Sequence, residues 1–325
     1  MLNLLTQKTG FAFSGAAARI AQECALSEAL IEGLTPLGRK IVPDVVSGSS
    51  SGALNAVAVN AVLMFKETNG RKGMGWETYK SILFGLRNEN VFDLSARGIA
   101  RILRNNIAEG FLLDTSPLRK LLEDTLVRMG FDTLGSLFLQ TYISVVNTDK
   151  RETMRLSSRD PSHSKLSLLD VLMASTAIAV AFKPQKIDGL DGEFVDGCTG
   201  RDGIPVESLA RENCSELYVI SKMRGEKEPK GEEFGPRKLF KTPKILSNYL
   251  EASSILNNDM FLCQLERAPY IARRAYVYMP KLSRSYSMLD FDTQREQYEE
   301  TRRWAEKNAP EKLEKASPRW WERLK

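Results

Sequence analysis

The sequence predicts an α/β protein: a mostly parallel central sheet covered by helices on both faces, a three-layer α/β/α arrangement, with a helical extension at the C-terminal end. Apolar, β-prone segments alternate with helix-prone ones through the first two thirds of the chain, the pattern of strands that run parallel and return through helices. Where residues 10–13 and 45–47 end, runs of serine, glycine and alanine lead straight into helical patterns, so strand meets helix through a sharp turn. Beyond about residue 222 the alternation gives way to a charged stretch and long helical patterns.

Taken in order, Gly10-Phe11-Ala12-Phe13 reads as a buried first strand. After Ser14-Gly15-Ala16-Ala17-Ala18-Arg19, an amphipathic helix carries Ile20, Cys24, Leu26, Leu30 and Ile31 on its apolar positions. A strand over residues 45–47 precedes Gly48-Ser49-Ser50-Ser51-Gly52 and a buried helix to about Lys66. Residues 68–73 form a loop, and residues 76–123 several short helices, one starting at Asp114-Thr115-Ser116-Pro117 with Pro in its first turn. The β-branched run of residues 140–147 is a central strand, turning at 148–151 into a second strand over 152–156. A small-residue helix over 167–179 follows, then short strands at 193–197 and 217–221. Residues 224–244 read as a charged linker, 245–265 as a long helix and 274–279 as an edge strand. Residues 290–325 read as a charged helix anchored by Trp304, Trp320 and Trp321. The expected division is a catalytic domain over residues 9–221 and a mainly helical extension over 222–325 that packs on it.

Composition narrows the function. With 46 basic and 41 acidic residues the net charge is only +5, too mild for a nucleic-acid binder. Cys24, Cys198, Cys214 and Cys263 lie far apart without a C-x-x-C pair, so reduced cysteines are expected and no structural metal. The N-terminus lacks the apolar length of a signal peptide. Residues 53–65, the most apolar run, are too short to span a membrane and are interrupted by Asn55 and Asn60. A cytoplasmic protein or one peripheral to a membrane is expected.

Two turns carry chemistry. Gly48-Ser49-Ser50-Ser51-Gly52 has the G-x-S-x-G grammar of a nucleophile elbow, in which a serine sits in strained backbone and small neighbours let strand and helix approach. The turn at residues 14–19 leaves backbone N–H groups at a helix N-terminus, suited to an anion or an oxyanion. No Gly-Lys-Ser/Thr follows it, which disfavours a nucleotide site. The chain has one histidine, His163, in a polar loop, so a Ser-His-Asp triad has a single imidazole to draw on.

Ser14 to Arg19, Gly48 to Gly52 and Asp196-Gly197, the last preceded by Ala174-Ser175-Thr176-Ala177, together resemble the motifs of the patatin-like phospholipase family. The resemblance runs from about Thr9 to Ser221 and implies a Ser-Asp dyad: Ser50 as nucleophile and Asp196 as the base that activates it. It further implies Gly15, Ala16 and Ala17 as oxyanion-hole N–H donors, and Gly48, Gly52, Gly197 and Arg19 as supports of elbow and loop, with no metal or cofactor. Asp188, Asp191, Asp196 and Asp202 all precede glycine, but only Asp196 follows a strand-like Phe194-Val195; Asp191 is the second choice. Two departures stand out. Ala16 and Ala17 replace glycines of the family loop, and residues 198–205 depart from its continuation after Asp-Gly.

What the resemblance implies is a metal-independent lipid acyl hydrolase of phospholipase A or lysophospholipase type acting on phospholipid or other lipid esters, with peripheral membrane contact and no nucleic-acid partner. A serine esterase or thioesterase for small soluble esters, and a catalytically weak lipid-binding protein, are the alternatives. Met260-Phe261-Leu262 and the basic stretch 237–241 offer either an interfacial surface or ordinary core and loop.

Overall fold

A computed structural model describes residues 8–93, 113–223, 233–234, 240–241 and 244–315. The chain passes through β1 (Thr9–Phe13), α1 (Ile20–Glu32), β2 (Val45–Ser49), α2 (Ser51–Glu67), α3 (Trp76–Gly85) and α4 (Asn88–Val91). Next come α5 (Ser116–Met129), β3 (Gln140–Asn147), β4 (Glu152–Ser157), α6 (Leu168–Ser175), β5 (Phe194–Asp196) and β6 (Glu216–Ile220). A two-stranded ribbon of β7 (Glu233–Phe234) and β8 (Phe240–Lys241) is followed by α7 (Lys244–Ile271), β9 (Arg274–Tyr278), α8 (Gln294–Ala305) and β10 (Glu311–Leu313).

The main sheet runs β10-β9-β6-β1-β2-β3-β4, with β5 also on β3. Its centre, β9-β6-β1-β2-β3, is wholly parallel, while β10, β4 and β5 pair antiparallel. This is the predicted α/β architecture, and side-chain alternation explains its layers. Phe11 and Phe13 point into one core with α1 and α2, whereas Ala12 joins Val45, Leu217, Val219 and Phe261 in the other. Both faces are covered, as a parallel sheet requires.

The C-terminal third differs from expectation. Residues 274–279 are not an edge: β10 pairs outside β9, so the sheet continues one strand further. The tail is therefore not one helix, because α8 ends at Ala305 and the chain extends again at Glu311. Local composition does not reveal that pairing, whose partner strand lies more than thirty residues earlier in the chain. Trp304 packs beside Tyr278 with ring centroids 5.6 Å apart, while Trp320 and Trp321 lie outside the described residues. Phe261 is buried and Leu262 half exposed, the core-helix reading of that stretch; Arg237 to Leu239 lie outside the described residues. Helix α6 stops at Ser175, short of 179, because Ala177 must turn to accept the Asp196 N–H at 2.9 Å. No helix among the described residues is long and apolar enough to cross a membrane.

Candidate active site

Ser50 sits where β2 turns into α2, with φ 57° and ψ −134°. That conformation costs a non-glycine residue about 1–3 kcal/mol and persists only where the surroundings enforce it. They do. A Cβ on Gly48 would strike the Gly52 carbonyl, and one on Gly52 the Ser14 carbonyl, so strand, turn and helix are in backbone contact. The Ser50 N–H donates to Ser175 Oγ at 3.0 Å, and that hydroxyl donates onward to the Ser144 carbonyl at 2.9 Å.

The register of β3 explains how Asp196 arrives. One edge of β3 is taken by β4 over Tyr142–Asn147, so β2 and β5 share the other. Strand β2 ends with Ser49 opposite Ser144, and β5 begins its pairing with Asp196 opposite Val145. Consecutive positions on β3 thus place the residue after Ser49 beside Asp196, near enough for the Ser50 hydroxyl to favour the Asp196 carboxylate. Gly197 permits this junction, since a Cβ there would lie 2.5 Å from both the Ser144 carbonyl oxygen and Ser49 Oγ.

Asp196 is 3% exposed. Burial pushes its carboxyl up to about 6, restrained by the nearby Ser50 hydroxyl, by Cys198 and by the Lys222 charge. The Cys198 N–H donates to Asp196 Oδ1 at 2.8 Å, and burial drives the Cys198 thiol far above its usual range, so it stays protonated. Lys222 had no sequence signal of its own. It is 8% exposed, its Nζ donates to the Gly15 carbonyl, and it follows β6 directly. A charged residue just past the C-terminal end of a parallel strand is where such sheets place functional groups, and that position could have flagged it. If Asp196 must be ionised to act, kcat/KM should rise with pH through a midpoint near 6. Lys222→Met removes a charge that favours the carboxylate, so its pH-rate midpoint should move upward; an unmoved midpoint would remove Lys222 from that role.

The loop before α1 places its N–H groups unequally. Gly15 donates to the Gly203 carbonyl at 3.2 Å and Ala16 to Ser51 Oγ at 2.8 Å, so both are engaged within the protein. Among the described residues the Ala17 N–H makes no backbone hydrogen bond, and Ala17 lines the adjoining cavity. Of the two alanines standing for glycines, Ala16 has an ordinary φ of −129° and Ala17 the left-handed φ of 47°. The left-handed region costs an L-residue about 1–2 kcal/mol. Ala17→Gly is therefore expected to raise stability by up to about 1 kcal/mol, net of glycine's entropy, in denaturant unfolding. Arg19 is buried, its Nε donating to the Tyr286 carbonyl at 2.6 Å, so it ties the loop to the C-terminal region.

Ser50 and Ser51 line a cavity whose other walls are mostly aliphatic and aromatic side chains. Leu118, Leu122, Leu126 and Met129 contribute one stripe along α5, and Met288, Leu289 and Phe291 a wall from the C-terminal third that sequence reasoning did not assign to the site. The other candidates lie elsewhere. His163 Nδ1 accepts the Ser157 N–H at 3.4 Å and lies 3.7 Å from Asp160. Asp191 is exposed in a turn, and buried Asp202 is taken by Arg155 at 2.7 and 2.8 Å and by the Ser144 hydroxyl. Among the described residues no group of three His, Cys, Asp or Glu is arranged to hold a metal ion.

A family model described as patatin-like phospholipase matches residues 10–210. That is well over half of the chain, which belongs to this family, and membership implies lipid acyl hydrolase activity. Among solved structures, VipD from Legionella pneumophila is similar over 92% of this chain and 67% of its own, at 15% identity and a TM-score of 0.44. No curated protein matches the chain.

Proposed function

We propose that the chain is a phospholipase A or lysophospholipase that cleaves carboxylic esters of phospholipids through Ser50 and Asp196, within a catalytic unit over residues 9–221. The observation that carries this reading is the convergence of a serine in strained backbone and a buried aspartate, brought side by side by β3, next to an apolar cavity. The Ser50 Oγ attacks the ester carbonyl carbon as its proton passes to Asp196. The oxyanion is met by the Ala17 N–H and by the N–H of Ser51, an orphan donor at the start of α2. Asp196 returns the proton to the departing alcohol, leaving an acyl group on Ser50. It then takes a proton from water, whose attack releases the fatty acid and restores the serine.

An aspartate is a weak base at its ordinary pKa of about 3.9, and the upward displacement of Asp196 narrows the mismatch with a serine hydroxyl. The cavity favours a long acyl chain over a small soluble ester. Its stripe from Leu118 to Met129 runs along three turns of helix, about 16 Å at 1.5 Å per residue. A lipid of that size is presented by a membrane or micelle, so the enzyme works in peripheral contact with such a surface. Release of fatty acid from a panel of diacyl and lysophospholipids, with Ser50→Ala protein as blank, tests the reading. Turnover confined to short soluble esters would overturn it.

A further inference from the structure

Every motif of the site lies before residue 221 and the family match ends at 210, yet the loop that carries Ala17 is held from the far end of the chain. The Ala18 N–H donates to the Met288 carbonyl at 3.1 Å. The Ala18 carbonyl accepts from Gln294 Nε2 at 2.7 Å and from Gln297 Nε2 at 3.0 Å. Both glutamines are almost fully buried, at 1% and 0% exposure. Gln297 Oε1 accepts from Gln22 Nε2 at 2.8 Å, and Gln22 Oε1 accepts the Met223 N–H at 2.8 Å. A relay of amides thus runs from the end of β6, beside Lys222, through α1 and α8 to the Ala18 peptide. Arg19, the next residue, is fastened to Tyr286 in the same segment.

We propose that Gln294 and Gln297 are positioning residues of the hydrolase, and that the strap 286–297 completes the oxyanion site by clamping the peptide groups on either side of Ala18 so that the Ala17 N–H faces the reacting carbonyl. The physical case rests on Ala17. A left-handed alanine returns to a right-handed conformation unless its neighbours forbid it, and here the following peptides are pinned on both the donor and the acceptor side. Two buried side-chain donors on one carbonyl are more than helix packing needs; apolar residues would fill the space without leaving a polar group to satisfy. Met288 and Phe291 extend the strap into the cavity wall, so the segment that holds the donor also borders the acyl chain. The catalytic unit over residues 9–221 therefore depends on a strap supplied by the C-terminal extension.

This inference rests on the hydrolase reading above, and the test separates the two. In the full chain, Gln297→Glu keeps the acceptor for Gln22 but loses the donor to Ala18, and Gln294→Leu together with Gln297→Leu removes both donors. With a long-chain lipid ester and an aryl ester, kcat is expected to fall about tenfold or more with KM little changed, since an oxyanion donor acts mainly in the transition state. The control is Tyr298→Phe, on the same helix as the two glutamines, which loses its hydroxyl bond to Glu28 of α1. It should lower the unfolding midpoint and leave kcat as it was. Unchanged kcat in the glutamine variants, or a loss matched by Tyr298→Phe at equal folded fraction, would overturn the proposal. Should the double variant fail to fold, Gln297→Glu alone decides. Undiminished activity in Ser50→Ala would instead refute the hydrolase reading itself.

Discussion

Replacing Ser50 by Ala is expected to reduce ester turnover by about 10⁴-fold or more, and Asp196→Asn by about 10³–10⁴-fold, with both proteins folded. The first loses the atom that forms the acyl-enzyme. The second keeps a hydrogen-bonding group of the same shape beside Ser50 but cannot take its proton. On the proposed mechanism the carboxylate is itself the base rather than the orienter of an imidazole, so no partial function would remain to it. Substitutions at the competing residues sharpen the test. His163→Ala, whose ring is occupied with the Ser157 N–H, and Asp191→Asn, in an exposed turn, should leave kcat unchanged. Asp202→Asn should lower stability instead, because it breaks a buried bidentate pair with Arg155. Steady-state rates and the acyl-enzyme burst check all five variants, and persistence of the burst in Ser50→Ala would sink the dyad.

Gly52→Ala should cost about 3 kcal/mol or more and depress activity along with stability. The added Cβ would strike the Ser14 carbonyl oxygen and lie 2.7 Å from that of Phe13, both at the end of the central strand β1. Backbone there is hydrogen-bonded on both sides, to β2 and β6, and cannot withdraw without opening the sheet. Relief would have to come from the loop that carries Ala17, which couples the packing defect to the oxyanion site. Gly85→Ala is the matched control: a Cβ there meets nothing within 4 Å, and Ala at the end of α3 should be neutral or mildly stabilising. Thermal unfolding of the two proteins distinguishes them, and a Gly52→Ala protein as stable as Gly85→Ala would mean that strand and helix are not in contact.

The parts of the site that could be read along the chain are those whose physics is local. Gly48, Ser50 and Gly52 declare a strained turn because small residues at that spacing, between a Val-rich strand and an Ala-rich helix, have little other use. Asp196 was separable from three other Asp-Gly pairs by the strand before it, and the same apolar alternation outlined the sheet. Met288, Gln294 and Gln297 left no such trace. Each is an ordinary residue in its own segment and gains a role only from what folds against it. The same blindness hid β10, because a short charged segment becomes a strand only when β9 offers it an edge.

Sequence by itself determined the class of fold and the strained serine turn, and it pointed to a carboxylate in a chain with one histidine, because backbone sterics, hydrophobic period and composition act within a few residues of one another. Tertiary structure decided the rest. Ser50 lies beside Asp196 because β2 and β5 share one edge of β3, and the N–H groups of Gly15 and Ala16 are taken by Gly203 and Ser51 while Ala17 lines the cavity. Those outcomes depend on strand order and on contacts between residues far apart in the chain, distances over which no local preference extends.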